Sequence, residues 1–310
     1  MAAIAAQRGS RRTRLRYVAE RRGFLATLLI SPAVLLIGAL VGVPLVLAVY
    51  LSFTDATAGS LSGKWVGLAN FRNQWHDQVF RDAIWHTFLF TVISQAVVIV
   101  CAGLLAHALV RRFRGRWLLR FFILLPWAAP IALTALGFLW FYDPSASIFN
   151  WFLVHLHIVA AGHAPTWLGT PKAAMSSIIT VQAWRTIPFA TVIFLAGISS
   201  IPQEVDDAAA IDGATGLRKF WYVSLPLQLP IAIVAILFGI VFTATDMIVP
   251  FILTNGGPFN STQVLTTWSF QTGIQAGNIG EGAAVAMFMV PILAFVAITM
   301  LIFARRAEVT

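Results

Sequence analysis

Six apolar stretches alternate with short polar segments along this chain, over about 24–51, 85–110, 118–142, 175–199, 227–253 and 281–304. Each is long enough to cross the roughly 30 Å hydrocarbon core of a bilayer, so six membrane helices are predicted. Pro32 and Pro44 are placed to kink the first, and Gly38 and Gly42 in it have the spacing that lets helices pack closely. Pro126 and Pro130 lie inside the third.

The polar segments differ from one another. Residues 1–23 carry seven arginines against the single acid Glu20. A basic start before an apolar run resembles a secretory signal peptide, but the run is too long and no small-residue cleavage site ends it. It reads as a basic tail. Residues 54–84 interleave Trp65, Phe71, Trp75 and Phe80 with charges, as suits a membrane interface. A basic loop, Arg111-Arg-Phe-Arg-Gly-Arg116, follows the second span, and His155, His157 and His163 lie in the segment after the third.

Composition narrows the class. Hydrophobic residues make up 59% of the 310 and charged ones 11%, with a mean hydropathy of +0.82. Soluble domains carry about 25% charged residues, so the chain is read as a multi-pass membrane protein. The net charge of +9 gathers at membrane edges and gives no reason to invoke nucleic acid. The lone Cys101 excludes an internal disulfide framework. Sixteen of the 21 Lys and Arg fall in the tail, residues 111–120, the loop after span four and the C-terminus. Basic short loops stay cytoplasmic, which places both termini inside.

The loop after span four reads Ser200-Ile-Pro-Gln-Glu-Val-Asp-Asp-Ala-Ala-Ala-Ile-Asp-Gly-Ala-Thr-Gly216. Ser200 and Gln203 have capping-box spacing, and Glu204, Asp206 and Asp207 fall where a helix dipole favours carboxylates. Ala208, Ala209 and Ala210 favour helix and leave its backbone open to close approach, and Gly213 or Gly216 can end it in a left-handed conformation. Such a helix buries little of itself and needs a partner.

Asp207-Ala-Ala-Ala-Ile-Asp-Gly-Ala214, with Leu225-Pro226 after it, resembles the "EAA" loop of ABC-importer permeases, with Asp207 where Glu is usual. Val66-Gly-Leu-Ala-Asn-Phe71, Trp184-Arg-Thr-Ile-Pro-Phe189, Leu253-Thr-Asn-Gly-Gly-Pro258 and Gly282-Ala-Ala-Val-Ala286 resemble pieces of carbohydrate-uptake permeases, the group handling maltose, trehalose and glycerol phosphate. The compact six-span form looks most similar to the permeases of mycobacterial trehalose importers. The resemblance implies an all-α membrane protein of the type I importer permease fold in a bacterial plasma membrane. It implies a coupling loop over 200–224, in which Glu204, Asp206, Asp207, Ala208, Ala209, Asp212 and Gly213 dock on an ATPase. The implied partners are a second homologous permease, two ATPase subunits that hold the ATP and magnesium, an outer sugar-binding protein and lipid; this chain would hold no cofactor and hydrolyse nothing.

Ionisable residues inside a span are functional candidates. Arg185 and Asp246 lie at depths that let them meet, either as a pair holding helices four and five, as solute contacts or as a gate. Gln95, Trp140 and Trp184 are further candidates for the solute path, because sugars need hydrogen-bonding groups and flat apolar faces. The three loop histidines have no zinc-site spacing. Gly59 to Lys64 falls one residue short of a phosphate loop, and neither His-Glu-x-x-His nor Gly-x-Ser-x-Gly occurs. A secondary carrier working alone is the rival reading, which the coupling loop and the lack of detectable inverted repeats oppose.

Overall fold

The computed structural model describes residues 22–308 except 61, 112 and 161. Most of the basic tail expected at 1–23 lies outside them. The chain divides into two compact units, 1–51 and 52–310. The first contributes nearly all of helix α1, Leu25–Ser52, in which Gly38–Gly42 widens into a π turn.

The second unit is helical throughout its regular elements. These are α2 (Ala69–His76), α3 (Gln78–Val110), α4 (Arg116–Ala128), α5 (Ile131–Phe141), α6 (Ile148–His155) and α7 (Pro171–Ser199). After them come α8 (Gln203–Ile211), α9 (Phe220–Ala244), α10 (Ile248–Thr254), α11 (Leu265–Phe270) and α12 (Ile279–Glu308). Among the described residues, α1, α3, α7, α9 and α12 are each long and apolar enough to span, and α4 with α5 form a sixth candidate.

That sixth candidate covers the third span expected over 118–142, and it is not straight. The helix breaks at Ala129 and Pro130, and its two halves are bent by 100°. Pro130 has no N–H to continue the ladder and forces its predecessor out of the helical region. Ala129 accordingly sits at φ −73°, ψ 138°, and Pro130 starts α5 as its N-cap. The fifth span, expected over 227–253, is also interrupted. It stops at Ala244 and resumes at Ile248, with Asp246 in the gap. The second begins well before residue 85, because Asp77 caps α3 by accepting from the Val79 N–H at 2.7 Å.

Helix α7 is the centre. Some 56% of its spanning core is buried, against 33% in α3 and 11% in α12, and it packs on α3, α4, α9 and α10. Where α3, α7 and α9 meet, the contact is made of Ala102, Ala106, Ala183, Ala190 and Ala235 with Val98 and Phe194. Small residues let helices approach when apolar lipid leaves no hydrophobic drive between them. Larger side chains, among them Phe90, Phe138, Tyr142, Ile178 and Val249, fill the space between α3, α5, α7 and α10.

At the end of the bundle opposite α8, the aromatic-rich segment is tied down by hydrogen bonds. Asn70 of Val66-Gly-Leu-Ala-Asn-Phe71 is buried, and its Nδ2 donates to the Ser52 and Thr54 carbonyls at 3.0 and 2.7 Å. Gln74 Nε2 donates to Glu281 at the start of α12 (3.1 Å), and Trp268 Nε1 donates to Gln74 Oε1 (2.9 Å). Gly282 opens Gly282-Ala-Ala-Val-Ala286 with its Cα against Gly273, where an added Cβ would collide with backbone. That close approach is the physical content of the glycine.

Candidate solute path and coupling helix

Two places in the fold hold the sequence-predicted residues. The first is a polar cluster at the α3–α7–α9 contact. Arg185 on α7 donates through Nη2 to Asp246 Oδ2 at 2.7 Å, an ion pair with side-chain exposures of 16% and 3%. Asp246 also explains the helix break around it. Its Oδ1 accepts from the Ile248 and Val249 N–H groups at 2.8 and 3.2 Å, capping α10, as a short acid at a helix start does. Its backbone carbonyl accepts from Thr266 Oγ1 at 3.1 Å. One carboxylate thus neutralises the arginine and starts the next helix.

Beside the pair, Gln95 and Gln182 converge on Thr243. Gln95 Nε2 donates to Thr243 Oγ1 at 2.9 Å, and Gln182 Nε2 approaches the same oxygen at 3.3 Å. Gln95 is 4% exposed, Gln182 and Thr243 fully buried. Gly239, one turn before Thr243, leaves the room that Gln95 occupies; a Cβ there would overlap its Oε1. Two polar atoms in the cluster, the Arg185 Nε and the Gln95 Oε1, are buried with no hydrogen-bond partner.

The structure therefore joins Gln95, Arg185 and Asp246, and adds Gln182 and Thr243, which sequence reasoning passed over. Their signal was an uncharged polar side chain inside an apolar span. Trp184 stands apart from the cluster, half exposed and edge-on to Phe138 at 5.3 Å. Trp140 is 80% exposed on α5 and makes no part of it.

The second place is the loop after α7. Ser200 does not cap the next helix, as the capping-box spacing suggested: its Oγ turns back to the Gly197 carbonyl at 2.8 Å and finishes α7. Helix α8 starts at Gln203 behind Pro202, with Glu204 and Asp206 in its first turn. Asp212 follows its last residue, and Gly213 turns left-handed at φ +72°, which lets the Ala214 N–H reach the Ala209 carbonyl at 2.8 Å. Asp206 pairs with Lys219 at 2.9 Å, tying α8 to the run into α9. Asp207 accepts from Gln203 Nε2 at 3.1 Å. Ala209 is the buried member of the helix, while Glu204, Asp207, Ala208 and Asp212 are exposed and Ile211 is 86% exposed.

Residues 99–309 match the family described as "binding-protein-dependent transport system inner membrane component". The chain belongs to this family. It is a multi-pass inner-membrane permease subunit of an ABC importer, and the ATPase is a separate subunit. The permease is 30% identical over 266 residues to the sulfoquinovosyl glycerol transport system permease SmoG of Agrobacterium fabrum, covering 86% of this chain and 85% of that one. It is 32% identical over 222 residues to the trehalose/maltose transport system permease MalF of Thermococcus litoralis, covering 72% and 74%. In fold it matches a chain of a bacterial ABC transporter involved in alginate import, with a TM-score of 0.79 at 20% identity, over 94% of this chain and 99% of that one. The fold is the type I importer permease fold.

Proposed function

We propose that this permease forms half of the translocation path of a sugar importer, with a disaccharide such as trehalose as its solute. The permease pairs with a second homologous permease, two ATPase subunits that bind ATP and magnesium, and an outer sugar-binding protein. Relatives named for sulfoquinovosyl glycerol and trehalose/maltose support the sugar class. The polar cluster supports it chemically. Arg185 Nε–H lacks an acceptor and Gln95 Oε1 lacks a donor, and a sugar hydroxyl supplies both. In this reading the Arg185–Asp246 pair and Gln95 meet solute when the helices rock, and Trp184 and Trp140 flank the route as flat apolar faces.

One observation carries the coupling role: α8 turns Ala209 inward and presents Glu204, Asp207, Ala208 and Ile211 outward on a polar loop between two spans. That face docks on the ATPase, with Asp212 and Gly213 ending the helix at the contact. Closure of the ATPases pulls on α8 and, through the Asp206–Lys219 pair and α7, on the cluster. With both termini and α8 cytoplasmic, ATP acts on the side where it is made.

The sn-glycerol-3-phosphate permease UgpA of Agrobacterium fabrum is 29% identical over 269 residues, which keeps an anionic solute as a second reading. Asp246 already neutralises Arg185, so an anion would have to displace that carboxylate. The test is ATP hydrolysis by the reconstituted transporter with each solute. Stimulation by trehalose or another neutral sugar supports the first reading, and stimulation by glycerol phosphate alone replaces it.

A further inference from the structure

Near the outer ends of α3 and α7 lies a groove of about 550 Å³, away from the polar cluster. On α3 it is lined by Trp85, His86, Leu89 and Ile93, and on α7 by Lys172, Met175, Ile179 and Thr180, with Ser261 from the loop after α10. His86, Leu89 and Ile93 are spaced for one face of a helix, as are Lys172, Met175 and Ile179. At 1.5 Å per residue the groove follows each helix for roughly 10 Å.

The groove changes character along that length. Its outer end holds Lys172, His86 and Ser261. Lys172 is exposed at the second position of α7, where the helix dipole disfavours a cation, and no acid lies in that first turn. His86 Nδ1 and Ser261 Oγ are buried polar atoms without a hydrogen-bond partner. Asp82, one turn outward of His86, accepts from Gln78 Nε2 at 2.8 Å and does not line the groove. Further in, Leu89, Ile93, Met175 and Ile179 are apolar. The hydroxyls there face back to their own helix: Ser176 Oγ donates to the Lys172 carbonyl and Thr180 Oγ1 to the Ser176 carbonyl. Trp85, 59% exposed and stacked on Phe88, marks the level of the membrane interface.

We propose that this groove binds one anionic phospholipid of the outer leaflet. Its phosphate sits at Lys172 and accepts from the Ser261 hydroxyl beside His86, and an acyl chain lies along Leu89, Ile93 and Ile179. A cation and two unmet polar atoms above an apolar channel match an anionic head joined to a hydrocarbon tail; a free anion would leave the channel unused. The lipid bridges the two helices whose middles hold Gln95, Gln182 and Arg185 of the polar cluster, whatever the solute.

The test is native mass spectrometry of the complete transporter, purified with its partners and exposed to phosphatidylglycerol or phosphatidylcholine. Wild type should retain phosphatidylglycerol in preference. Lys172→Gln should weaken that retention about fivefold, the contribution of one interfacial cation. Ile93→Trp fills the groove at a side chain that is 41% exposed and should abolish retention with the head-binding residues intact. Equal retention in wild type and both variants overturns the proposal, as does no preference in wild type. Displacement of the lipid by inorganic phosphate at millimolar concentration overturns it in favour of a plain anion site.

Discussion

Arg185→Ala leaves the Asp246 carboxylate, 3% exposed, without its cation, although Oδ1 still accepts from two α10 N–H groups. Asp246→Ala strands the guanidinium beside Gln182 and also uncaps α10. Breaking a buried pair from one side costs about 3–5 kcal/mol, with the lower end apt because Arg185 retains 16% exposure. A lost helix cap adds about 1 kcal/mol. Asp246→Ala should therefore be the worse variant by about 1 kcal/mol, and Asp246→Asn, which keeps a capping oxygen, should recover that difference. Removing both charges in Arg185→Ala/Asp246→Asn avoids a stranded charge and should cost less than the summed singles by about 2 kcal/mol, within the range that contacting residues show. The assay is thermal unfolding of the transporter in lipid nanodiscs, where each single variant should lower the midpoint on the order of 10 °C. Additivity of the two changes within about 0.5 kcal/mol would refute the pairing as an energetic unit.

Asp207→Lys reverses a charge on the exposed face of α8 and should leave the chain inserted while abolishing solute-stimulated ATP hydrolysis; full stimulation would remove that face from the coupling contact. Gly213→Val forces a branched side chain to φ +72°, which costs about 1–2 kcal/mol locally and should uncouple without reducing the amount of membrane-inserted chain. Gly239→Ala drives a methyl into Gln95 Oε1 and should reduce uptake while ATPase assembly persists, measured by transport against copurification. Gly282→Ala sets a Cβ against the Gly273 backbone, so the thermal midpoint should drop by several degrees, the scale of an overpacked contact of about 1–3 kcal/mol.

The spans were legible because a bilayer demands long apolar runs, and α8 because an acidic first turn, alanines and a terminal glycine leave a local signature. What escaped the sequence was local geometry inside apolar stretches. Hydropathy averaged over a span cannot register the 100° break at Pro130, since the residues on both sides are apolar. Asp246 was visible as a buried charge but not as a helix cap, a role that exists only once the chain is broken there. Gln182 and Thr243 carry no charge, and their importance comes from meeting Gln95 across three helices, which no spacing along one helix reveals. Ser200 was legible as a cap residue, but its Oγ donates to the Gly197 carbonyl at the end of α7 instead.

The most direct measurement is ATP hydrolysis by this permease reconstituted with its partner permease, ATPase and binding protein, with and without sugar. Hydrolysis should rise with a neutral sugar and lose that rise in Asp207→Lys. A permease that copurifies with no ATPase, or hydrolysis indifferent to every sugar and to the α8 variant, would contradict this.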